Sequence, residues 1–347
     1  MGRQLVAHHE YRTEQQEIMK KNLFYILTLA LPLCLTGCGN KQKVTTSEPV
    51  LVGPVFNADS AMVFCNAQCE FGPRTMNSEA HQKCLQWIVD KFTGYGLDVE
   101  KQAADLTGWD NTVLHSTNII AHFNTAAERK ILICAHWDSR PWADNDPDST
   151  NWHKPVLAAN DGASGVAVML ELARILQNPD TIGSPSVGID FVCFDAEDYG
   201  TPQWGGNVLH DTSNTWALGS QYFAKNLKQK YDYAILLDMV GGQGSHFYRE
   251  GYSLGNAPQI VDKVWSRAAD VGFSNYFVSD NGGYITDDHK PLIDAGVPAI
   301  DIVPYFPDCE QSSFGPTWHT VNDDIAHLDA NVLKAVGQTL VQVIYSE

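Results

Sequence analysis

Acidic and imidazole side chains of this chain fall in short clusters that could together hold a metal ion. The clusters are His136-Trp137-Asp138, Asn160-Asp161-Gly162, Glu197-Asp198, Asp238 and Trp318-His319-Thr320. Three of them directly follow apolar, β-branched runs, which are typical of buried parallel strands. Because the carboxyl ends of parallel strands meet at one edge of a sheet, these side chains are predicted to converge in a cleft. So many carboxylates share one cleft without protonating only if a cation lies among them.

The elements that must position these clusters alternate between strand and helix periodicity. Strands are predicted near 98–103, 117–123, 130–135, 187–194, 233–238 and 298–303. Helices are predicted at 78–93, 163–176, 216–229, 256–271, directly after Asp288 and at 329–345. This alternation indicates an α/β sandwich with a mostly parallel central sheet.

Composition favours a globular enzyme over a nucleic-acid-binding protein. The chain has 347 residues, and 44% of them are hydrophobic, which is enough for a substantial core. Its formal net charge is -18, and the acidic residues are dispersed along the sequence. Because nucleic-acid phosphates attract the opposite sign of charge, we expect no nucleic-acid partner.

Residues 1–38 are predicted to be a signal segment that ends in a lipobox. From Met19 a basic start leads into an apolar stretch that is too short, and too interrupted by proline, to span a membrane comfortably. The stretch ends at Leu35-Thr36-Gly37-Cys38, which resembles a bacterial lipobox, so Cys38 is predicted to become the lipidated first residue. A plain signal peptide with a chance cysteine is the alternative. Residues 1–18 are polar, so the natural start is predicted at Met19.

The remaining chain is predicted to comprise a tether and one catalytic domain. Residues 39–60 lack periodicity and are assigned to the tether, and residues 61–347 are assigned to the domain. The protein is therefore expected in the cell envelope, facing the periplasm, with membrane contact only through its lipid anchor. An oxidising periplasm would permit a disulfide among four cysteines, namely Cys65, Cys69, Cys84 and Cys309.

Several runs of the sequence resemble those of the animal-type glutaminyl cyclases, also called glutaminyl-peptide cyclotransferases. The runs include AHWDSRPWAD, AANDGASGVAVMLELARIL, FVCFDAEDYG, ILLDMVGG, TDDHKPLIDAGVPAIDIV and FGPTWHTVNDD. The resemblance covers about residues 60–347, and together with the lipobox it indicates a bacterial lipoprotein branch. It implies a three-layer sandwich with a mixed, mostly parallel sheet, like that of the related co-catalytic zinc aminopeptidases. It also implies cyclisation of N-terminal glutamine in peptides and proteins to pyroglutamate, with release of ammonia.

The resemblance implies one zinc ion per chain, held by Asp161, Asp198 and His319. Three protein ligands and an open fourth position are what a catalytic zinc needs. Relatives often have a glutamate where this chain has Asp198, whose reach is shorter. Glu197 is implied as the general acid/base, which faces the substrate pocket and not the metal.

The resemblance also implies a network of acids and an aromatic pocket around Glu197. Asp238 and Asp287 would form the hydrogen-bond network near Glu197 and the substrate amine. Asp301 stands where many animal relatives have a histidine, which leaves its role in that network open. The implied substrate-binding residues are aromatic: Trp204, Phe314 and Trp318.

Two other functions remain open at this point. In a di-zinc aminopeptidase, His136 and Asp238 would hold a second metal bridged by Asp161, and a hydroxide would attack a peptide bond. All of these residues are present. In a non-catalytic binding member of the same fold we would expect lost ligands, and this chain has lost none.

Two further patterns are interpreted as structural. His289 is expected to orient a helix start and not to bind metal. The Asp-rich segment 141–156 lacks the glycine and terminal glutamate of a calcium loop, so it is predicted to be a structural surface loop.

Overall fold

The computed structural model describes residues 51–177, 183–205 and 213–347. The predicted signal segment, Cys38 and tether residues 39–50 lie outside these ranges. Within them, every helix is too short or too polar to cross a membrane. Lipidation of Cys38 therefore stays a prediction.

The strands of the described part form a six-stranded sheet and a two-stranded sheet. Their bounds are β1 Asp98–Thr107, β2 Val113–Phe123, β3 Lys130–His136, β4 Gly188–Phe194, β5 Tyr233–Leu237, β6 Phe247–Arg249, β7 Phe277–Asn281 and β8 Ala299–Ile302. The large sheet has the order β1-β2-β4-β3-β5-β8. Strands β4, β3, β5 and β8 pair in parallel, whereas β1 and β2 are joined antiparallel at one edge. The predicted mixed, mostly parallel sheet is confirmed.

Of the α-helices in the described part, two precede the first strand, one follows the last strand and the others lie between strands along the chain. Their bounds are α1 Ala58–Cys69, α2 Glu79–Gly94, α3 Ala163–Leu176, α4 Leu218–Lys225, α5 Gly251–Asn256, α6 Pro258–Asp270, α7 His289–Asp294 and α8 Ala330–Ile344. Helix α3 matches its predicted bounds, and α2 and α8 agree to within a residue or two. Helix α4 is shorter than the predicted 216–229. It starts after Ala217, which adopts a left-handed backbone conformation with φ 54°, and it ends at Lys225, before the non-helical Asn226 with φ -118°.

The central strands bury both faces, which makes the fold a three-layer sandwich. In β3, Ile131 and Ile133 pack in one apolar cluster with residues of α1, α2, α3, α6 and α8. Leu132 and Cys134 point to the opposite face and pack with Phe223 of α4 and Leu292 of α7. This period of two is the pattern of a strand covered on both sides. The predicted sandwich is therefore confirmed, with the thinner helical layer formed by α4 and α7.

The packed part of the chain starts before residue 61. Phe56 is fully buried in the core, and its N–H donates to Oε1 of Gln338 at 2.9 Å. The Asn57 side chain accepts from the N–H of Ser60 and caps α1. Residues 56–60, which the sequence assigned to the tether, thus belong to the fold. Helix α1 was not predicted because its sequence lacks a clear apolar stripe; contacts with α3 and α8 hold it.

The cysteines of the described residues are all free thiols. Cys65 and Cys84 are fully buried, and Cys69 lies beside them among apolar side chains. Burial raises the pKa of Cys69 to about 11. These thiols act as small apolar groups of the core.

Candidate metal centre and active site

The carboxyl ends of three neighbouring parallel strands bring the predicted groups together. His136 is the last residue of β3, and Asp238 follows β5 directly. Glu197 lies three residues beyond the end of β4. Because β4, β3 and β5 are neighbours in the sheet, these side chains meet at one edge. The convergence predicted from the sequence is confirmed.

Asp161, Asp198 and His319 form a buried group with the spacing of a metal site. Nε2 of His319 lies 3.1 Å from Oδ1 of Asp198 and 3.4 Å from Oδ2 of Asp161. One ligand atom from each residue lies within 4.8 Å of the others. Both carboxylate oxygens of Asp198 and Oδ2 of Asp161 are buried without a hydrogen-bond partner. Buried oxygens left in this way require a cation, so the residues present fit a bound metal ion.

A second group shares Asp161 with the first. Nε2 of His136 lies 3.0 Å from Oδ1 of Asp161 and 3.2 Å from Oδ1 of Asp238. The two oxygens of Asp161 thus face the two groups. Burial lowers the pKa of His136, but hydrogen bonds to Asp138, Asp161 and Asp238 outweigh it and hold the pKa well above its usual range. His136, Asp161 and Asp238, the residues considered for a second metal, therefore also lie close together. In this group the imidazole of His136 favours its protonated form.

Asp323 fixes the backbone that carries Asp161. Its two carboxylate oxygens accept from the N–H groups of Asn160 at 2.7 Å and Asp161 at 2.9 Å. Burial is the main cause that raises the pKa of Asp323 to about 7. Gly162 follows with φ 98°, and a Cβ there would lie 2.9 Å from the carbonyl oxygen of Asp138. Glycine is therefore required for the chain to turn into α3 at this ligand.

Asp138 fixes the backbone of Glu197 and Asp198 in the same way. Its oxygens accept from the N–H groups of both residues, each at 3.1 Å. Ala196, which precedes them, has φ 54°, so the chain turns sharply after β4. The turn and the paired hydrogen bonds together set the positions of two neighbouring carboxylates.

His319 is held by residues that the sequence did not single out. Its Nδ1 lies 3.7 Å from Oδ1 of Asp144, whose carboxylate makes two hydrogen bonds with the buried Arg140. Arg140 also donates to the carbonyl oxygens of Asp198 and Gly200. A carboxylate behind a ligand histidine orients its ring. Segment 141–156 was predicted to be a surface loop. Its Asp144, however, is buried and packs behind the metal group, which is formed by Asp161, Asp198 and His319.

Glu197 faces a cavity of about 260 Å³ beside the metal group. Burial raises the pKa of Glu197 well above its usual range, and the negative charges of Asp198 and Asp287 add to this effect. Burial likewise raises the pKa of Asp238 to about 6 and that of Asp287 to about 7. Side chains of Asp238 and Asp287 line the same cavity. Carboxyl groups that titrate near neutral pH suit general acid/base chemistry.

Asp301 lies in a fully buried cluster behind these acids. Nδ1 of His289 is 3.6 Å from Oδ2 of Asp301, and its Nε2 is 3.3 Å from Oε2 of Glu250. Asp287, His289 and Asp301 form a third group with metal-like spacing. The sequence predicted that His289 orients the start of α7. In the structure its ring also lies between two carboxylates, those of Glu250 and Asp301.

Two of the three predicted aromatic residues form the cavity wall. Phe314 and Trp318 line the cavity, and the ring of Trp318 stacks on that of His319 with centroids 3.8 Å apart. Trp204 does not line it: the residue is 37% exposed, and its ring stacks on Trp152 and meets His153 at a tilt of 58°. Its position beyond the turn after β4 carries it away from the metal group.

Trp216 occupies the wall on the other side of His319. Its ring is nearly parallel to that of His319, with centroids 5.9 Å apart, so the histidine lies between two indoles. The guanidinium of Arg140 lies 4.4 Å from the centroid of Trp216. Trp216 was not predicted as a site residue, because it stands at the start of the predicted helix 216–229 and belongs to none of the acidic or imidazole clusters.

Comparisons with known proteins agree with this geometry. The glutaminyl cyclase of Tannerella forsythia has a solved structure that is 45% identical, with a TM-score of 0.81, covering 85% of this chain and 100% of that chain. A Bacteroides thetaiotaomicron VPI-5482 protein, described as a leucine aminopeptidase precursor, is 44% identical with a TM-score of 0.80, covering 86% of this chain and 100% of that chain.

The resemblance to animal enzymes is also confirmed by a curated relative. The glutaminyl-peptide cyclotransferase of Drosophila melanogaster is 24% identical over 274 residues, which is 74% of this chain and 72% of that protein. Residues 118–344 match the model of Peptidase family M28. Since this match spans more than half of the chain and contains all three proposed zinc ligands, the chain belongs to peptidase family M28.

Proposed function

We propose that this chain is a glutaminyl-peptide cyclotransferase, which converts N-terminal glutamine of peptides and proteins to pyroglutamate and releases ammonia. The observation that carries the proposal is the position of Glu197. Its carboxyl, with a strongly raised pKa, lines an aromatic-walled cavity next to a complete three-ligand metal group. Glutaminyl cyclases among the similar solved structures support the same activity.

One zinc ion per chain is part of this proposal. Asp161, Asp198 and His319 would hold it, since carboxylate oxygens and imidazole nitrogens are both zinc ligands and a catalytic zinc takes three protein ligands. When bound, zinc supplies a Lewis acid that polarises the side-chain amide carbonyl of the substrate glutamine. Asp323, Asp138 and Asp144 keep the ligands in place.

Glu197 moves the proton in the proposed reaction. The substrate's α-amine attacks the side-chain amide carbon, and Glu197 accepts the proton that the amine loses. The same carboxyl then donates this proton to the amide nitrogen, which leaves as ammonia. A carboxyl with a raised pKa is suited to both steps, because it holds a proton more readily than an ordinary glutamate does.

Asp238 and Asp287 attract and orient the α-amine. Both carboxyl groups line the cavity beside Glu197. Their negative charge favours binding of a cationic amine, and their raised pKa values allow a proton to be shared among the three acids.

The aromatic wall orients the substrate side chain. Phe314 and Trp318 pack at a centroid distance of 4.9 Å, and Trp216 closes the cavity on the opposite side of His319. These rings favour a folded glutamine side chain with its amide over its own amine. They also exclude water, whose attack would give glutamate instead of pyroglutamate.

An aminopeptidase is the second candidate function, because a specific observation favours it. His136, Asp161 and Asp238 form a second complete group with metal-like spacing, and one similar solved structure is described as a leucine aminopeptidase precursor. A second ion there would enable attack by hydroxide on a peptide bond. A non-catalytic binding protein is disfavoured, because every proposed ligand and Glu197 are in place.

Product masses distinguish the two activities. A cyclase removes about one ammonia from a peptide that begins with glutamine and leaves every backbone bond intact. An aminopeptidase releases free leucine from a peptide that begins with leucine. Incubating the purified domain with zinc and both peptides is expected to give pyroglutamate from the first and no change in the second. Release of leucine at a rate comparable to cyclisation would refute the cyclase.

The proposed location in the cell envelope rests on the sequence of residues 1–38. If Cys38 is acylated, a fatty-acid analogue fed to cells should label the wild-type protein but not Cys38→Ala. Cys34→Ala is the matched control and should retain the label, because Cys34 lies within the segment that is removed. Equal labelling of Cys38→Ala and wild type would contradict the lipid anchor.

A further inference from the structure

A second cavity adjoins the catalytic one and is larger. Its volume is about 410 Å³, compared with about 260 Å³ for the catalytic cavity. It lies between helices α4 and α7. Trp216, Thr286 and Asp287 line both cavities, so the two are neighbours that share a wall.

The second cavity has a mixed lining of small or apolar side chains, two lysines and two aspartates, Asp287 and Asp294. Small or apolar side chains form much of its wall, among them Ala217, Ala224 and Pro291. Lys225 and Lys290 also line it. Lys290 is paired with Asp294 on the same helix, whereas the exposed Lys225 has no ion-pair partner among the described residues.

We propose that this cavity, the α4–α7 subsite, binds the residues that follow the N-terminal glutamine, and that Lys225 favours a carboxylate among them. This inference rests on the proposed function, because it assumes that the glutamine occupies the catalytic cavity. The carboxylate is either an acidic side chain or the C-terminus of a short peptide. The chain would then act best on peptides that begin with glutamine and carry an acidic residue shortly after it.

The position of the α-amine places the rest of the substrate at this subsite. The amine must approach Glu197 and Asp287, and Asp287 lies at the boundary of the two cavities. The next Cα of the peptide is only about 3.8 Å from that of the glutamine. The zinc group, Phe314 and Trp318 occupy other walls of the catalytic cavity. The wall at Thr286 and Asp287 is therefore the side of the catalytic cavity that borders the second cavity.

Charge on the two sides of the boundary is complementary to such a substrate. The amine meets the acidic cavity, and an acidic residue further along meets Lys225. Because Lys225 is exposed, its ion pair with a substrate carboxylate is worth about 0.2–1 kcal/mol. This corresponds to a preference of about 1.5-fold to 5-fold in kcat/KM.

Peptides of matched length test the preference. The amide-capped peptides Gln-Ala-Glu-Ala, Gln-Ala-Gln-Ala and Gln-Ala-Lys-Ala differ only in the charge of the third residue, and uncapped Gln-Ala-Gln-Ala adds a C-terminal carboxylate. Wild-type kcat/KM is expected to be highest for the Glu peptide and lowest for the Lys peptide. A higher value for the uncapped peptide than for its capped form would show that the C-terminus also supplies the carboxylate.

Two variants assign the preference to the subsite. Lys225→Glu is expected to reverse the order of the Glu and Lys peptides, while Lys230→Glu, an exposed lysine outside the subsite, keeps the wild-type order with the same change in net charge. Ala295→Trp fills the subsite from an exposed position and is expected to raise KM for the tetrapeptides more than for glutamine amide, which does not reach it.

The outcomes separate this inference from the proposed function. If the wild type cyclises all peptides but Lys225→Glu and Lys230→Glu change their rates equally, the subsite is refuted and the cyclase stands. Equal effects of Ala295→Trp on glutamine amide and on the tetrapeptides would refute it as well. If zinc-loaded wild type cyclises no peptide, the proposed function itself fails.

Discussion

The two sides of the catalytic cavity hold their buried carboxylates by different means. On the metal side, Asp323 and Asp138 each accept two backbone N–H groups and fix the dipeptides that carry Asp161 and Asp198. On the side of α7, both oxygens of Asp301 are buried without a hydrogen-bond partner. The backbone that carries the metal ligands is therefore positioned by directional bonds, whereas the carboxyl group of Asp301 is held by packing and charge.

This difference matches the different tasks of the two sides. A metal site requires ligand atoms at fixed places, and paired backbone hydrogen bonds provide them. A proton network requires groups whose charge can change. Burial raises the pKa of Asp301 and that of Asp288 well above their usual range, so these groups favour the protonated form.

The largest effect is expected from removing the metal ligands. His319→Ala, Asp198→Ala or Asp161→Ala should lose both zinc and activity, whereas Glu197→Gln should keep zinc and lose about 10²- to 10⁴-fold in kcat. Metal content per chain, measured beside cyclisation rate, checks this. Loss of zinc from Glu197→Gln to the same extent as from His319→Ala would show that Glu197 is itself a ligand.

Breaking the backbone hydrogen bonds tests the metal side more selectively. Asp323→Asn or Asp138→Asn places an amide N–H against a backbone N–H and should lower zinc affinity about 10- to 100-fold. The free energy of unfolding should fall by about 1–3 kcal/mol. Zinc titration and urea unfolding measure the two effects. The half-buried neighbour Asp324 accepts from the N–H of Ala326, away from the ligands, so Asp324→Asn is the control for zinc affinity. An equal loss of zinc affinity in it would mean that the paired bonds do not position the ligand.

The acids on the other side predict a pH dependence of stability. In the folded, metal-free protein burial raises the pKa of Asp287 to about 7 from an ordinary value of 3.8. Between these values the folded chain holds a proton that the unfolded chain has lost, so the free energy of unfolding falls as pH rises from about 4 to about 7. Asp287→Asn should flatten this slope in urea titrations. An unchanged slope would mean that other groups dominate.

The smallest expected effect on kcat/KM comes from the two tryptophans that were predicted to bind substrate, Trp318 and Trp204. Trp318→Ala should lower kcat/KM about tenfold or more by loosening the glutamine side chain, with zinc still bound. Trp204→Ala should change kcat/KM by less than about twofold, because its side chain stacks outside the catalytic cavity. Steady-state kinetics on one glutamine peptide checks both, and a larger effect at Trp204 would reverse the assignment.

The sequence predicted the sheet and the acidic cluster because both follow from local patterns. Runs such as β3 and β5 are apolar and β-branched, and the polar residue that ends each run lies at the sheet edge. Helix α1 was missed because its contacts with α3 and α8 lie far away in sequence, and no periodic stripe reports them.

Parts of the site that depend on tertiary contacts could not be predicted from the sequence. Arg140 and Asp144 support Asp198 and His319 from a loop whose composition indicates only a turn-rich surface. The cavity is lined by Trp216 and not by the predicted Trp204, because the path of the chain after β4 decides which of the two lies beside it. Residues such as Arg140 and Asp144, which position a ligand and do not bind the metal themselves, lie in no recognisable sequence motif.

The carboxylate of Asp161 belongs to both groups with metal-like spacing. The number of bound metal ions would therefore depend on whether a metal ion or a proton occupies the group that contains His136. A second zinc ion and a proton would compete for His136, whose pKa is held well above its usual range by three neighbouring aspartates. Alkaline buffer or excess zinc favours the ion in this competition, and mild acid favours the proton. We therefore expect the number of metal ions per chain to vary with the pH and the zinc concentration of the buffer.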